Sequence, residues 1–568
     1  MRQPLQPVPF GAEQRRGNLE RLASDTFDVL VVGGGITGAA VARDVALRGL
    51  HVGLVEKGDY ASGTSSRSSQ LIHGGLRYLE HFDFGLVFEA LRERQILIRT
   101  APHLIRPQTF LFPAYRGDRT GPWRMRLGLA AYDILAGFRS IGRHKRIRLR
   151  DVATVEPGLR TSGLRALASY FDATTNDARL TLAVLRSAAA AGALAVNYAK
   201  VIGLRCSDGG RVSGAQVRDE LSGSEFEIRA RVIANAGGVW AGEIFELTGA
   251  PRPGLVRPSK GSHLVLEHER LPVRNALIFE SPIDHRIMFV IPWGGFTLVG
   301  TTEVEFDGPA DEVGSSPAEV AYLLESVGKV LPHAGPTPAD VCGTYAGLRP
   351  LVAEGDLPSG ATSREHAIME APANLFTIAG GKLTTHRLMA EQLGDLVVKR
   401  LARDFGVEPR ERCLTRVTPL SGAPARKQLS AMIAVATNEA RRLGLPEDTG
   451  AHLVRRYGSE FREILRRIEV DSNLGELLAP PHLYTAAEAL FSAEMEMAQT
   501  VTDFMTRRTH LVYAGGAKHQ DVAERAARSL AAAHHWGNDE LRRQVKAYDA
   551  EREKRRSPLT GRGAGPHS

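Results

Sequence analysis

The apolar run Phe27–Val32, the Ala- and Val-rich stretch Gly35–Arg48 and the apolar run His51–Val55 read in order as a buried strand, a helix and a second strand. Such a unit implies parallel strands. A helical period over Phe84–Arg99 stops at Ala101-Pro102, where proline ends it. Asp177–Ala191 is a further helix, and Ala195–Val201 and Arg229–Ala234 are strands, the second ending at Gly237-Gly238. Between Pro251 and Pro332 the texture changes to short alternating runs, Ser262–Leu266, Arg286–Ile291 and Phe296–Gly300, separated by Gly and Pro. That is the signature of an antiparallel sheet. Leu375–Ala379 then gives a strand and Lys382–Ala402 a helix, and from about Val417 only helical patterning appears. Residues 1–26 read as a loose leader. The segment beyond about Lys554 lacks periodicity and reads as disordered.

At 568 residues the chain needs several cores. The pattern predicts an α/β + α architecture. A Rossmann-like domain is assembled from residues 27–100, 171–245 and 341–402. It is interleaved with a cap segment, 101–170, and an antiparallel-sheet substrate domain, 246–340. An all-helical C-terminal domain covers 403–525, and 526–568 is a partly disordered tail.

The formal net charge is +8, concentrated in Arg116–Arg150 and Arg542–Arg562. A basic excess steers anionic substrates or favours an acidic membrane surface. No nucleic-acid motif accompanies it. The first basic stretch contains Trp123, Met125, Leu127, Leu129, Tyr132, Ile134, Leu135 and Phe138. It is either an interfacial helix or a core-packed helix with a basic outer face. No run is apolar enough to span a bilayer, and Met1–Leu22 lacks the apolar core of a secretory signal. Cys206, Cys342 and Cys413 lie far apart, which speaks against a disulfide framework or a metal site.

The run Val31-Val32-Gly33-Gly34-Gly35-Ile36-Thr37-Gly38 contains G-x-G-x-x-G between a strand and a helix, and the returning strand ends at Glu56. That context makes it a dinucleotide fingerprint. Gly33 permits the turn, Gly35 lets a pyrophosphate approach the backbone, and Gly38 lets helix and strand pack closely. Glu56 suits a ribose hydroxyl and disfavours a 2′-phosphate. A nicotinamide enzyme would continue into another strand–helix pair. This chain instead continues through Gly63-Thr64-Ser65-Ser66-Arg67-Ser68-Ser69-Gln70 to His73-Gly74-Gly75, a small-residue loop suited to an extended cofactor. A second glycine turn, Ala379-Gly380-Gly381-Lys382-Leu383-Thr384-Thr385, again links strand to helix. Its amides and Lys382 suit the pyrimidine end of a flavin, where negative charge develops on reduction. The cofactor expected is FAD, held without a covalent link.

With these motifs the chain resembles the FAD-dependent sn-glycerol-3-phosphate dehydrogenases of aerobic respiration. The matching runs are Asp28–Gly38, Ser65–Glu80 with its HGGLRYLE segment, Lys260-Gly261-Ser262-His263, Ile291-Pro292-Trp293, Gly300-Thr301-Thr302, Gly347–Leu351 and Gly380–Thr385. The resemblance spans about 20 to 520. It departs at Gln70, where the family often has Lys, and in the tail after about 525. It implies oxidation of sn-glycerol 3-phosphate to dihydroxyacetone phosphate, with the C2 hydride passing to flavin N5 and electrons then to ubiquinone or menaquinone. It also implies a peripheral protein on the inner, cytoplasmic face of the cytoplasmic membrane, often a homodimer. Competing readings are an oxygen-using glycerol-3-phosphate oxidase that releases peroxide, an amine or hydroxy-acid flavoenzyme of the same fold, and an inactive flavin-binding module.

The expected cofactor contacts begin with Gly33, Gly35, Ile36, Thr37, Gly38, Glu56 and Lys57. They continue through Thr64, Ser65, Ser66, Ser69, Gln70, His73, Gly74 and Gly75, then Val201, Ala236 and Gly237, and end at Arg349, Gly380, Gly381, Lys382, Leu383 and Thr384. A phosphate dianion calls for guanidinium forks. The resemblance puts Arg77, Arg349 and Arg364 near the substrate, Arg349 being expected in a turn. Alcohol oxidation also calls for a base, and His263 is the first candidate, with Arg349 and Lys382 completing the catalytic set. Tyr78 and Thr384 are further expected substrate contacts.

Overall fold

A computed structural model describes residues 2–560 except 82, 138–140, 208, 250–254, 353–365, 515 and 517–518, with the backbone alone at Arg77, Glu80 and His81. Strand β1 (Thr26–Val32) is buried from its second residue onward, as its unbroken apolar run requires of a strand covered on both faces. Helix α2 (Ile36–Leu47) follows, and β2 (Val52–Val55) returns parallel to β1. On the far side of β1 lies Glu225–Asn235, and beyond it Leu375–Gly380, both parallel. Leu194–Val196 extends the sheet past β2. His366–Glu370 closes the opposite edge antiparallel, and the Ala199–Cys206 and Val212–Asp219 ribbon completes the eight strands. Helix α2 packs against Asp177–Ala190 and His386–Phe405 through Ala39, Val41, Leu180, Val184, Met389 and Leu393.

The second sheet has ten strands and is wider than the alternating runs suggested. Arg106–Tyr115, Leu164–Thr174 and Val341–Val352 join it from outside the expected 246–340 region. One pair, Ala276–Glu280 with Arg106–Tyr115, is parallel. Its antiparallel pairs toward one edge place His263 opposite both Gly300 and Tyr345, and Ser259 opposite Arg349. Arg349 therefore sits inside a 12-residue strand rather than in a turn.

Two ends of the chain correct the sequence reading. Within the expected loose leader, helix α1 (Ala12–Ser24) buries Leu22, and Phe10 just before it is 1% exposed. The buried Arg15 of α1 donates to the Asn197 carbonyl and pairs with Asp219. At the other end, His519–His534 and Asn538–Thr560 are helices, not tail. Tyr548 is fully buried, the Arg555 carbonyl accepts from Thr344 Oγ1 at 3.0 Å, and Arg556 donates to the Cys342 carbonyl at 3.2 Å. A sequence rich in Arg and Glu hid this because only a few positions per turn carry the packing. The C-terminal region is also not purely helical: Leu477–Ala479 and His482–Thr485 form a small hairpin.

Buried ion pairs clasp the C-terminal region to the Rossmann layer. Asp59 accepts from Arg508 Nη2 at 2.9 Å and is also bound by Arg507 Nε and Arg508 Nη1. Burial alone would raise the Asp59 carboxyl, but the two guanidinium groups outweigh it and hold it below the usual carboxylate range. Arg186 donates to Glu460 at 2.7 Å and Arg179 to Glu496 at 2.8 Å, both inside the interface.

Candidate active site

The carboxyl ends of the parallel strands open onto a cavity of about 720 Å³, the place where open α/β sheets take ligands. At its floor Gly33 has φ +109°, a left-handed conformation that favours glycine. A Cβ on Gly38 would lie 1.9 Å from the Gly33 carbonyl oxygen, so only glycine permits this helix–strand contact. Gly35, Ile36 and Thr37 line the floor, and Ser65 Oγ accepts from the Ile36 N–H at 2.9 Å. The exposed amides and the positive end of α2 make this an anion cradle.

Glu56 closes one side. Its carboxylate accepts from the amides of Gly34 at 2.6 Å and Gly58 at 2.9 Å, and burial raises it above the ordinary carboxylate range. It thus supports the glycine turn as well as facing the cavity. Beyond it lie Lys57, Val201, Ala236 and Gly237, with Lys57 Nζ 4.0 Å from the centre of the Trp240 ring. This end mixes apolar walls, Val201, Ile202, Ile244 and Leu247, with charged residues, Lys57, Lys200, Arg218 and Glu243.

The opposite end carries the chemistry. Thr64, Ser65 and Ser69 lead along the wall to His263. His263 is 3% exposed, its ring stacks on Tyr345 with centroids 4.7 Å apart, and Nε2 lies 2.9 Å from Ser69 Oγ. Burial, with a contribution from Arg349, lowers its imidazole to about 3, so it is neutral at pH 7. Among the described residues its Nδ1 has no hydrogen-bond partner. Arg349 reaches across the strand, Nη2 donating to Thr301 Oγ1 and the Thr302 carbonyl at 3.3 Å. Gly380 and Gly381, both at positive φ, turn the chain so that Lys382, Leu383 and Thr384 face inward. Lys382 Nζ sits 3.6 Å from the centre of the Tyr78 ring. Thr384 Oγ1 accepts from the His73 N–H at 3.1 Å, tying the second glycine turn to the HGG segment.

Not every expected contact lines the cavity. Gln70 is buried; its Oε1 accepts from the Asp177 N–H at 2.9 Å and so supports the start of the following helix. Gly74 faces Tyr132 and Leu91, where a Cβ would lie 2.5 Å from the Tyr132 hydroxyl. Gly38, Ser66 and Gly75 shape the walls from behind rather than lining the cavity. The Arg77 side chain and Arg364 lie outside the described residues.

Several lining residues were missed. Arg67 and Ser68 stand within the hydroxyl-rich run that drew attention, and Gly261 and Gly347 beside His263 and Arg349. Asp177 had no local signal. Its carboxylate accepts from the Ser68 N–H at 3.0 Å and from Ser68 Oγ at 2.7 Å, and burial pushes it up to about 6.

A cavity with an anion cradle on its floor, the Glu56 carboxylate at one end and a glycine turn beside a lysine at the other fits FAD in its donor set. Fold and cavity together define the class of FAD-dependent oxidoreductases, and residues 28–396 match the family model described as FAD dependent oxidoreductase. Residues 413–541 match the model for the C-terminal domain of alpha-glycerophosphate oxidase. The chain is 35% identical over 494 residues to the aerobic glycerol-3-phosphate dehydrogenase of Staphylococcus saprophyticus, covering 87% of this chain and 88% of the relative. It also superposes on the crystal structure of the glycerol-3-phosphate dehydrogenase from Bacillus halodurans complexed with FAD, with a TM-score of 0.81, 30% identity and coverage of 97% and 99% of the two chains. Within the class, therefore, this chain belongs to the aerobic glycerol-3-phosphate dehydrogenase family, and its cofactor is FAD. The L-alpha-glycerophosphate oxidase of Mycoplasma pneumoniae, at 17% identity and a TM-score of 0.53 over 68% of this chain and 97% of that one, shares the fold.

Proposed function

We propose that the chain oxidises sn-glycerol 3-phosphate to dihydroxyacetone phosphate at the His263 end of the cavity and passes the electrons to a membrane quinone. The observation that carries this reading is the pairing of a neutral buried imidazole with a guanidinium in one cavity end: His263 and Arg349. The names of the relatives supply the substrate class.

Bound FAD supplies a two-electron acceptor that takes the C2 hydride. The protein's own part begins with Arg349, whose fork suits a phosphate dianion. His263 Nε2 takes the C2 hydroxyl proton, directly or through the Ser69 hydroxyl. A base held near 3 is weak, but part of that depression comes from the Arg349 charge, which a bound dianion offsets. Burial, the larger cause, stays in place, so the dianion relieves only the Arg349 share. Lys382 places a positive charge beside the second glycine turn and stabilises negative charge developing there.

The quinone reading is supported by an apolar surface. Helix α4 (Pro122–Ala136) buries Met125, Leu129 and Tyr132 on one face and exposes Trp123, Leu127 and Ile134 on the other. Helix α3 (Phe84–Thr100) packs beside it with Phe84 and Phe88 exposed, and Arg124 and Arg126 stand among them. An apolar stripe with basic neighbours suits an anionic membrane surface, and none of the described helices is long and apolar enough to cross one. Anaerobic mixing with glycerol 3-phosphate should bleach the visible flavin absorbance. Re-oxidation of the bleached protein by a short-chain quinone, with little peroxide in air, separates the dehydrogenase from the oxidase. Failure to bleach overturns the substrate assignment.

A further inference from the structure

A second cleft, of about 550 Å³, lies between the ten-stranded sheet and the C-terminal helices. One wall is the hairpin turn from Pro292 to Phe296, another the start of the strand Arg106–Tyr115, and the third carries Leu429 and Arg455. Its lining contains two arginines and two histidines, Arg106, Arg455, His103 and His268, and no aspartate or glutamate.

Arg106 and Arg455 stand exposed at the rim of the cleft. The buried guanidinium groups of Arg179, Arg186, Arg387 and Arg508 each meet a carboxylate. Among the described residues, neither Arg106 nor Arg455 has an ion pair. The surrounding protein, and after it the charges of Arg455 and Arg456, lower Arg106 to about 10, although its side chain keeps access to solvent. The cations are thus held together against their repulsion. Behind them His103 is 2% exposed, and burial lowers it to about 3, so it is neutral. Its Nδ1 has no hydrogen-bond partner among the described residues. A buried polar atom without a partner is destabilising, and a ligand oxygen would relieve it.

We propose that this cleft is a second anion site, distinct from the flavin cavity, that takes a small phosphate-bearing metabolite. Arg106 and Arg455 clasp the phosphate from two sides, and His103 Nδ1–H donates from the back. Trp293, whose ring centre lies 3.8 Å from that of His510, covers the ligand's carbon portion.

The cleft communicates with the flavin cavity over a short path. Thr174 lines the cleft and is the register partner of Leu71, which lines the flavin cavity. A second route runs from Trp293 through His510 and its hydrogen bond to Asn176, next to the cavity-lining Asp177. An anion bound in the cleft is therefore one strand pair from the flavin and is placed to alter how that site binds.

The test uses the full-length, FAD-loaded protein and inorganic phosphate as probe, with equilibrium dialysis of labelled phosphate. The wild type should bind two equivalents, one in each cavity. The double variant Arg106→Gln/Arg455→Gln should lose one equivalent, or weaken it by tenfold or more, while substrate still bleaches its flavin at the wild-type rate. Arg349→Lys should weaken the other equivalent. If the double variant binds phosphate as the wild type does, the site is not there, whatever Arg349→Lys does. A loss confined to Arg349→Lys supports the substrate reading and overturns this one. Should the double variant lose its colour on purification, Arg455→Gln alone, at an exposed helical position, carries the same comparison. Quenching of Trp293 fluorescence by phosphate, present in wild type and absent in Trp293→Phe, gives an independent readout. No quenching difference between them counts against the cleft.

Discussion

Ser69 Oγ and His263 Nε2 stand 2.9 Å apart, joining a loop of the cofactor-binding half to the strand Val256–Glu267 of the ten-stranded sheet. The contact sets which face of the imidazole meets the substrate and makes proton transfer depend on both halves being in register. Replacing His263 with Ala should slow flavin reduction by about 10²–10⁴-fold, the usual contribution of a general base. Ser69→Ala should slow it less, since water can take the place of the hydroxyl. Rapid anaerobic mixing at saturating substrate reads both, and an unchanged rate in His263→Ala removes the residue from the role.

Arg349→Lys keeps the charge and loses the fork. A charge-assisted hydrogen bond contributes about 1.5–3 kcal/mol, which corresponds to roughly 10–150-fold in affinity. The loss should appear with glycerol 3-phosphate and be small with glycerol, which has no phosphate. FAD content should remain that of wild type. Equal discrimination between the two substrates in variant and wild type would place the phosphate elsewhere.

Buried histidines make the protein acid-sensitive, His510 among them, whose imidazole burial lowers well below its ordinary value. Burial lowers His103 and His263 to about 3, and His386 and His519 to about 4. Each has a folded-state value below that of the unfolded chain, near 6.5. Between these values the unfolded state binds more protons, so stability rises with pH there. It should be complete above about pH 6.5 and fall progressively toward pH 4. Urea midpoints measured across that range should show the slope, and His386→Gln should reduce it. A flat profile would mean that these rings are solvated.

Asp59→Asn should be among the most destabilising single changes in the chain. It leaves Arg507 and Arg508 buried without their shared counter-charge. Removing one partner of a buried pair costs roughly 3–5 kcal/mol. The denaturation midpoint should drop accordingly, and flavin should be released in the same transition because Asp59 follows Glu56 on the same turn. Release of flavin well before unfolding would show that the two are separable.

Vesicle sedimentation tests the α3–α4 surface. Binding to anionic vesicles should weaken as salt rises, because exposed charges are screened. Trp123→Ser/Ile134→Ser should weaken it at every salt concentration while leaving reduction by substrate intact. Wild-type binding by the double variant would move the membrane face elsewhere.

The sequence was most informative where one local rule governs a short segment. Gly33, Gly35 and Gly38 are legible because a turn, an approach and a packing contact each demand glycine at a fixed offset. The second glycine turn at Gly380-Gly381 is legible for the same reason. Arg349 is different: flanking Gly and Pro suggest a turn, yet a twelve-residue strand accommodates them because its pairing to Val256–Glu267 overrides local preference. Gln70 sits in a run of cofactor-facing hydroxyls, but its side chain turns inward to the backbone amide of Asp177, a partner that no local pattern announces. Helices α1 and Asn538–Thr560 were missed because their polar faces dominate composition while a few buried residues, Arg15 and Leu22 in the first and Val545, Tyr548 and Pro558 in the second, anchor them.

The bond between Asp59 and Arg508 spans 449 residues of chain. During synthesis at about 5–20 residues per second, the carboxylate emerges from the ribosome roughly 20–90 s before its partner. Throughout that interval the dinucleotide-binding half has its glycine turn but not the counter-charge that closes it from behind. A nascent chain that has not yet reached Glu460 therefore holds Asp59, Arg179 and Arg186 without the partners that the finished protein gives them.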